Sequence, residues 1–205
     1  MKTMKIRAAA LTGLLFAAGG VVAVSGPAGA QGVPTCNGKD VTIIAVEGVP
    51  TDGTDGDDVI IGTAGADMIN GRLGNDTICG LAGKDEIRGA AGADWINGGA
   101  GGDKIWGGDG HDLLQGGTGW DRMFGGSGKD DMDGAEGNDF MRGNGWADTM
   151  KGGAGNDFVH GGLADDTILG GSGDDDLRGS NGTNTCSDPD PDTVHGGCDI
   201  RNFDE

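Results

Sequence analysis

Fourteen aspartates, Asp58, Asp67, Asp76, Asp85, Asp94, Asp103, Asp112, Asp121, Asp130, Asp139, Asp148, Asp157, Asp166 and Asp175, recur every nine residues without a break. Carboxylate oxygen is the hard donor that Ca²⁺ selects, in all-oxygen shells completed by backbone carbonyls. Carbonyls can converge on an ion only where no Cβ intervenes, and the surroundings of these aspartates meet that condition. Taken in lines of nine from Gly53 to Arg178, position 1 is always Gly and the aspartate is always position 6. Gly also recurs at positions 2 and 4, where it permits positive φ. Mg²⁺ is a poor match for such a shell, because it demands short, near-octahedral coordination and keeps its waters.

The elements that must carry these carboxylates follow from position 8. It is aliphatic or Met throughout: Ile60, Ile69, Ile78, Ile87, Ile96, Ile105, Leu114, Met123, Met132, Met141, Met150, Val159, Ile168 and Leu177. Side chains alternate across a strand, so position 8 points inward and positions 7 and 9 outward. Each nonapeptide therefore predicts a three-residue strand, positions 7–9, after a six-residue turn. The core is one aliphatic side chain per repeat. With 47 Gly, no Tyr and a net charge of -19, the composition on its own is that of a disordered chain, and the unbroken period is what argues for a repeat architecture.

These lines resemble the G-G-x-G-x-D-x-U-x nonapeptide of the repeats-in-toxin (hemolysin-type calcium-binding) family, whose calcium-binding motif is a known sequence signature. The resemblance implies an all-β fold, a parallel β-roll (β-solenoid) with two repeats per turn and about seven turns, with Ca²⁺ held between successive turns. It makes the fourteen aspartates the metal ligands and sets about twelve ions as the ceiling. Carboxylates stacked ~4.8 Å apart repel by roughly 3 kcal/mol per neighbouring pair at an effective dielectric near 20. Metal binding and folding are then expected to be one equilibrium. Two repeats depart from the motif at position 4, with Trp146 and Ala164, and early repeats lack the second Gly at Thr54, Thr63, Arg72, Leu81 and Ala90.

Around the repeats, residues 1–30 read as a signal peptide, with Lys2, Lys5 and Arg7 ahead of an apolar run and an A-x-A pattern ending at Ala30. Its removal takes away three cations and no anion, moving the net charge from -19 to -22. The expectation is a secreted, extracellular protein with no membrane span in the mature chain and no affinity for nucleic acid, whose phosphates such a charge repels. Residues 31–52 and 179–205 are expected to cap the open ends of the roll at 53–178, the first with a strand across 41–46. The four cysteines allow three connectivities. Local pairing, Cys36 with Cys79 and Cys186 with Cys198, is the expected one, and similar arrangements occur in exported members of the family.

No H-E-x-x-H or G-x-S-x-G is present, and His111, His160 and His195 fall at unrelated repeat positions, as surface histidines do. The expected function is a non-catalytic, calcium-binding β-roll. The rival is an adhesive or ligand-binding module, with an accessory or remnant of a secreted enzyme of the family as a third reading. Residues eighteen apart should lie above one another, which places Trp106 under Phe124 and Phe140 under Phe158 on the sheet of even-numbered repeats. With Arg88, Lys104, Arg122, Arg142 and Arg178 they form an aromatic and basic strip, the place for a protein or glycan partner or a stack that stiffens the sheet.

Overall fold

The computed structural model describes residues 5–6, 22–24, 34–189 and 197–200, and the rest of the expected signal segment lies outside them. Among the described residues there is no helix, and the strands are parallel along nearly the whole length of the molecule. They form two sheets wound as a solenoid, with odd-numbered repeats in one and even-numbered repeats in the other. The register advances by eighteen residues per turn: Ile96 lies beside Leu114 in one sheet and Ile105 beside Met123 in the other.

The position-8 side chains fill the space between the sheets as a single file from Ile60 to Leu177, none more than 2% exposed. At mid-molecule the file is four methionines, Met123, Met132, Met141 and Met150. Unbranched thioether chains adapt to a core one residue wide, where a rigid side chain would leave gaps.

The strands are longer than the expected three residues. Lys104–Asp109 and Leu113–Thr118 each run six residues, through positions 7–9 and on into positions 1–3 of the next repeat. The in–out alternation continues with them, so that position 1 also faces inward. Glycine disfavours strands mainly by lacking a side chain to pack. Here the inward space at position 1 is already taken by the aspartate of its own repeat, and only Gly fits.

The roll also exceeds the fourteen repeats, and it has about eight turns rather than seven. Before the first repeat, Ile43–Ile44 pairs in parallel with Val59–Ile61 and Thr51–Asp52 with Met68–Leu73. On the other side of Ile43–Ile44 the backbone of Val22–Val24 runs antiparallel. Beyond the last repeat, Asn184–Ser187 pairs with Thr167–Ser172 and is followed by Cys198–Ile200. Both cysteine pairings are as expected, Cys36 with Cys79 and Cys186 with Cys198. The first ties the entering segment to the outside of the roll, where Cys36 packs with Val41 and Ile61. Cys186, in the second, takes the place of a core aliphatic at position 8.

The aromatic strip is present, and its two halves are joined. Trp106 stacks on Phe124 with ring centres 5.7 Å apart, Phe140 on Phe158 at 5.1 Å, and Phe124 meets Phe140 at 6.0 Å. Guanidinium groups lie over the run at both ends, Arg88 on Trp106 and Arg178 on Phe158, with Arg122 and Arg142 on Phe140. Ring faces are thus largely covered by one another and by arginine. The strip offers edges and cations rather than open aromatic faces.

Candidate metal centre

Each aspartate reaches position 6 at the end of a tight turn and directs its carboxylate inward, where it is 6% exposed at Asp58 and 2% or less at the others. The two carboxylate oxygens have different surroundings. Oδ1 accepts the backbone N–H of the aspartate one turn earlier: Asp76 N–H reaches Asp94 at 2.8 Å, Asp103 N–H reaches Asp121 at 2.7 Å, and the pattern repeats along both edges. Oδ2 of Asp76, Asp85, Asp94, Asp103, Asp112, Asp121, Asp130, Asp139, Asp148, Asp157 and Asp166 is buried with no hydrogen-bond donor among the described residues.

The position-1 glycines show where Oδ2 points. A Cβ on Gly98 would lie 2.5 Å from Asp103 Oδ2 and 2.7 Å from the carbonyl oxygen of Gly116, one turn on. At Gly116 the corresponding distances are 2.5 Å to Asp121 Oδ2 and 2.8 Å to the Gly134 carbonyl. An unpartnered carboxylate oxygen and a carbonyl oxygen from the next turn thus lie close together beside the glycine, hard donors of the kind a divalent cation takes. Among the described residues no three His, Cys, Asp or Glu side chains gather into a cage of their own. Ligation by these aspartates would draw on backbone carbonyls, the use expected of the glycines from the sequence.

Burial raises the affinity of these carboxylates for protons. Asp85, Asp112, Asp139 and Asp148 are pushed up to about 7, and Asp76, Asp121, Asp166 and Asp175 to about 6. Desolvation is the largest cause in each, the hydrogen bond from the preceding turn opposes it, and neighbouring carboxylates add to it. A bound cation would remove both penalties by supplying charge where water is excluded.

The sites are unequal. At Asp58 and Asp67 the roles of the oxygens differ: Thr54 donates its N–H at 2.6 Å and its hydroxyl at 2.9 Å to Asp58 Oδ2, and Thr63 does the same for Asp67 Oδ2 at 2.6 and 3.0 Å, while Asp67 Oδ1 is the oxygen buried with no donor among the described residues. At position 4, Gly119 and Gly128 take φ of 128° and 127°, while Trp146 and Ala164 stand at 77° and 80°. A side chain restricts the residue to the narrow left-handed region, so these two turns are bent away from the geometry of the others. Arg72, Leu81 and Ala90 are shifted in the same way at position 2, with φ of 84°, 80° and 85°.

Two sets of residues completing the stack were not singled out in the sequence. Asn184 holds position 6 of a fifteenth repeat: its Oδ1 accepts Asp166 N–H at 2.9 Å, and its amide donates to the Gly197 carbonyl at 3.0 Å. Continuing the nine-residue count past Arg178 would have found it. On the outside of the turns, Asn75 and Asn138 at position 5 accept the N–H of Ala93 and Asn156, one turn on. His111 does likewise for Lys129 through Nδ1, a structural use for that ring, while His195 lies outside the described residues.

No curated protein matches the chain. Overlapping stretches from residue 52 to residue 186 match the family described as the RTX calcium-binding nonapeptide repeat. With its aspartate stacks, its glycine turns and a β-solenoid to carry them, the chain belongs to the RTX calcium-binding nonapeptide repeat family.

Proposed function

We propose that this chain is an exported, calcium-responsive β-roll with no catalytic activity of its own. In it the aspartates from Asp58 to Asp175 ligate Ca²⁺ together with carbonyls of adjoining turns. The observation that carries the reading is an unpartnered Oδ2 with a next-turn carbonyl beside it, repeated from Asp76 to Asp157. Asp58 contributes least, since Thr54 occupies its Oδ2 and the Thr42 hydroxyl reaches its Oδ1, and Asp67 is left with Oδ1 alone. With those sites weakened and the turns at Trp146 and Ala164 bent, the bound ions number fewer than the idealised twelve or so. The signal segment at 1–30 and two disulfides, which persist in oxidising compartments, support export. Among the described residues no helix is long and apolar enough to cross a membrane.

An adhesive role for the aromatic and basic strip has less in its favour, because its ring faces are covered. The test of the main reading is a titration of metal-free protein followed by circular dichroism, with native mass spectrometry for the ion count. Cooperative gain of β-structure in millimolar Ca²⁺, and far less in equal Mg²⁺, is expected. A spectrum unchanged by chelator would overturn it.

A further inference from the structure

Apart from the early repeats and Ala135, the departures from the repeat motif lie in stacked turns. Asn144 and Ser180 replace Gly at position 2, Trp146 and Ala164 replace Gly at position 4, and Leu163 stands at position 3; all belong to repeats eleven, thirteen and fifteen. These turns lie one above another, with Asn144 beside Gly162 and Gly162 beside Ser180. Asn144, Trp146, Ala164 and Ser180 all hold positive φ, between 73° and 80°.

An open cleft of about 320 Å³ lies at this edge of the molecule. Arg142 and His160, neighbours on the even sheet, form one wall, and Asn144, Leu163, Ser180 and Asn181 from the stacked turns form the other. Arg88, Arg178 and Lys151 each pair with a carboxylate, but Arg142 has none within ion-pair distance among the described residues. Its guanidinium rests on the Phe140 ring, and its planar fork can still hold a carboxylate with two hydrogen bonds. Ser180 Oγ lies 2.6 Å from His160 Nε2, which holds that hydroxyl in place among the lining residues. Leu163 is 57% exposed beside these polar groups, an apolar surface that a small inorganic anion would leave uncovered.

We propose that this cleft binds a small organic hydroxycarboxylate, its carboxylate on Arg142 and its hydroxyls on Ser180, Asn144 and Asn181, with its carbon chain over Leu163. The site is one of binding rather than hydrolysis. A serine–histidine nucleophile needs a third group orienting the ring through Nδ1, and no hydrogen bond to His160 Nδ1 occurs among the described residues. The proposal does not depend on calcium ligation, since every group in it lies outside the aspartate stacks.

The experiment uses the full chain with calcium present and its fold verified by circular dichroism. Gluconate, its uncharged amide and inorganic phosphate are titrated while the His160 ring is observed by NMR, with His160→Gln to assign the signal. Saturable shifts with gluconate, at least tenfold weaker with the amide and with phosphate, are expected. Arg142→Gln should weaken gluconate at least tenfold. The double variant Asn144→Gly, Ser180→Gly restores the motif, so it should keep or improve calcium-dependent folding while losing gluconate affinity. Equal response to phosphate and gluconate, no saturation, or unchanged affinity in the double variant would each overturn the proposal.

Discussion

The backbone N–H of Asp94 donates to Oδ1 of Asp112 at 2.9 Å, so the carboxylate that repels its neighbour in the stack is also the acceptor its neighbour's backbone needs. The same side chain both holds adjacent turns together and charges them against each other. Removing an aspartate therefore leaves a buried N–H without its acceptor, and neutralising it with a proton or a cation does not.

That distinction sets the pH dependence. Carboxylates raised from 3.8 to about 6 or 7 by burial bind protons more tightly folded than unfolded. Their contribution to the metal-free fold is complete below about pH 4 and is lost as pH rises through about 6 to 7. In chelator, β-structure measured by circular dichroism should be greater at about pH 5 than at about pH 8. With calcium the order reverses, since protons compete for the same oxygens and the calcium midpoint should rise as pH falls below 7. A metal-free roll more stable at pH 8 would contradict the buried placement of these groups.

Trp146→Gly and Ala164→Gly should each tighten calcium-dependent folding, since a side chain in left-handed backbone costs on the order of 1–2 kcal/mol. The reverse change, Gly119→Ala, should weaken it, because a Cβ there would run into the Gly101 carbonyl. Calcium titrations of the three variants decide the matter. A looser Trp146→Gly protein would mean that the indole packs usefully and that the bent turn is not the dominant cost.

Replacing Thr54 and Thr63 together by Gly removes the hydroxyl donors to Asp58 and Asp67 and permits the positive φ found at position 2 elsewhere. The expected outcome is more calcium bound per chain, counted by native mass spectrometry. An unchanged count would show that the first turn is closed to metal for another reason.

Phe140→Thr with Phe158→Thr removes a stacked pair and three of the guanidinium contacts while keeping β-propensity. Stacked pairs contribute about 0.5–1.5 kcal/mol, so the double variant should melt lower and need more calcium to fold. Unaltered folding with lost retention on cell-wall or glycan fractions would instead assign the strip to binding.

Much of this architecture is legible in the sequence because one position of each nonapeptide is apolar and one is acidic, with no slip of phase. Position 8 predicts the core residue by residue, and position 6 predicts the two carboxylate stacks. The six-residue strands were hidden because glycine carries no strand signal, and pairing across positions 1–3 is made by backbone alone. The fifteenth repeat was hidden by chemistry rather than by spacing: Asn184 replaces the acid and Cys186 the aliphatic, although both keep their places. Thr54 and Thr63 look like weak glycine substitutes, whereas their hydrogen bonds make them competitors for the carboxylate.

The eighteen-residue register gives the molecule a unit of length. Loss or gain of eighteen residues removes or adds one turn and leaves every later side chain on the face it had. Loss of nine also keeps an aspartate at every position 6 and an apolar residue at every position 8, so the core and both stacks would close again. Everything after the cut would nevertheless change sides. Excising residues 107–115 would leave Trp106 on one sheet and carry Phe124, Phe140 and Arg142 to the other. The interior thus counts in nines and the exterior in eighteens, and a change of length that folding tolerates can still divide whatever the outer surface was built to do.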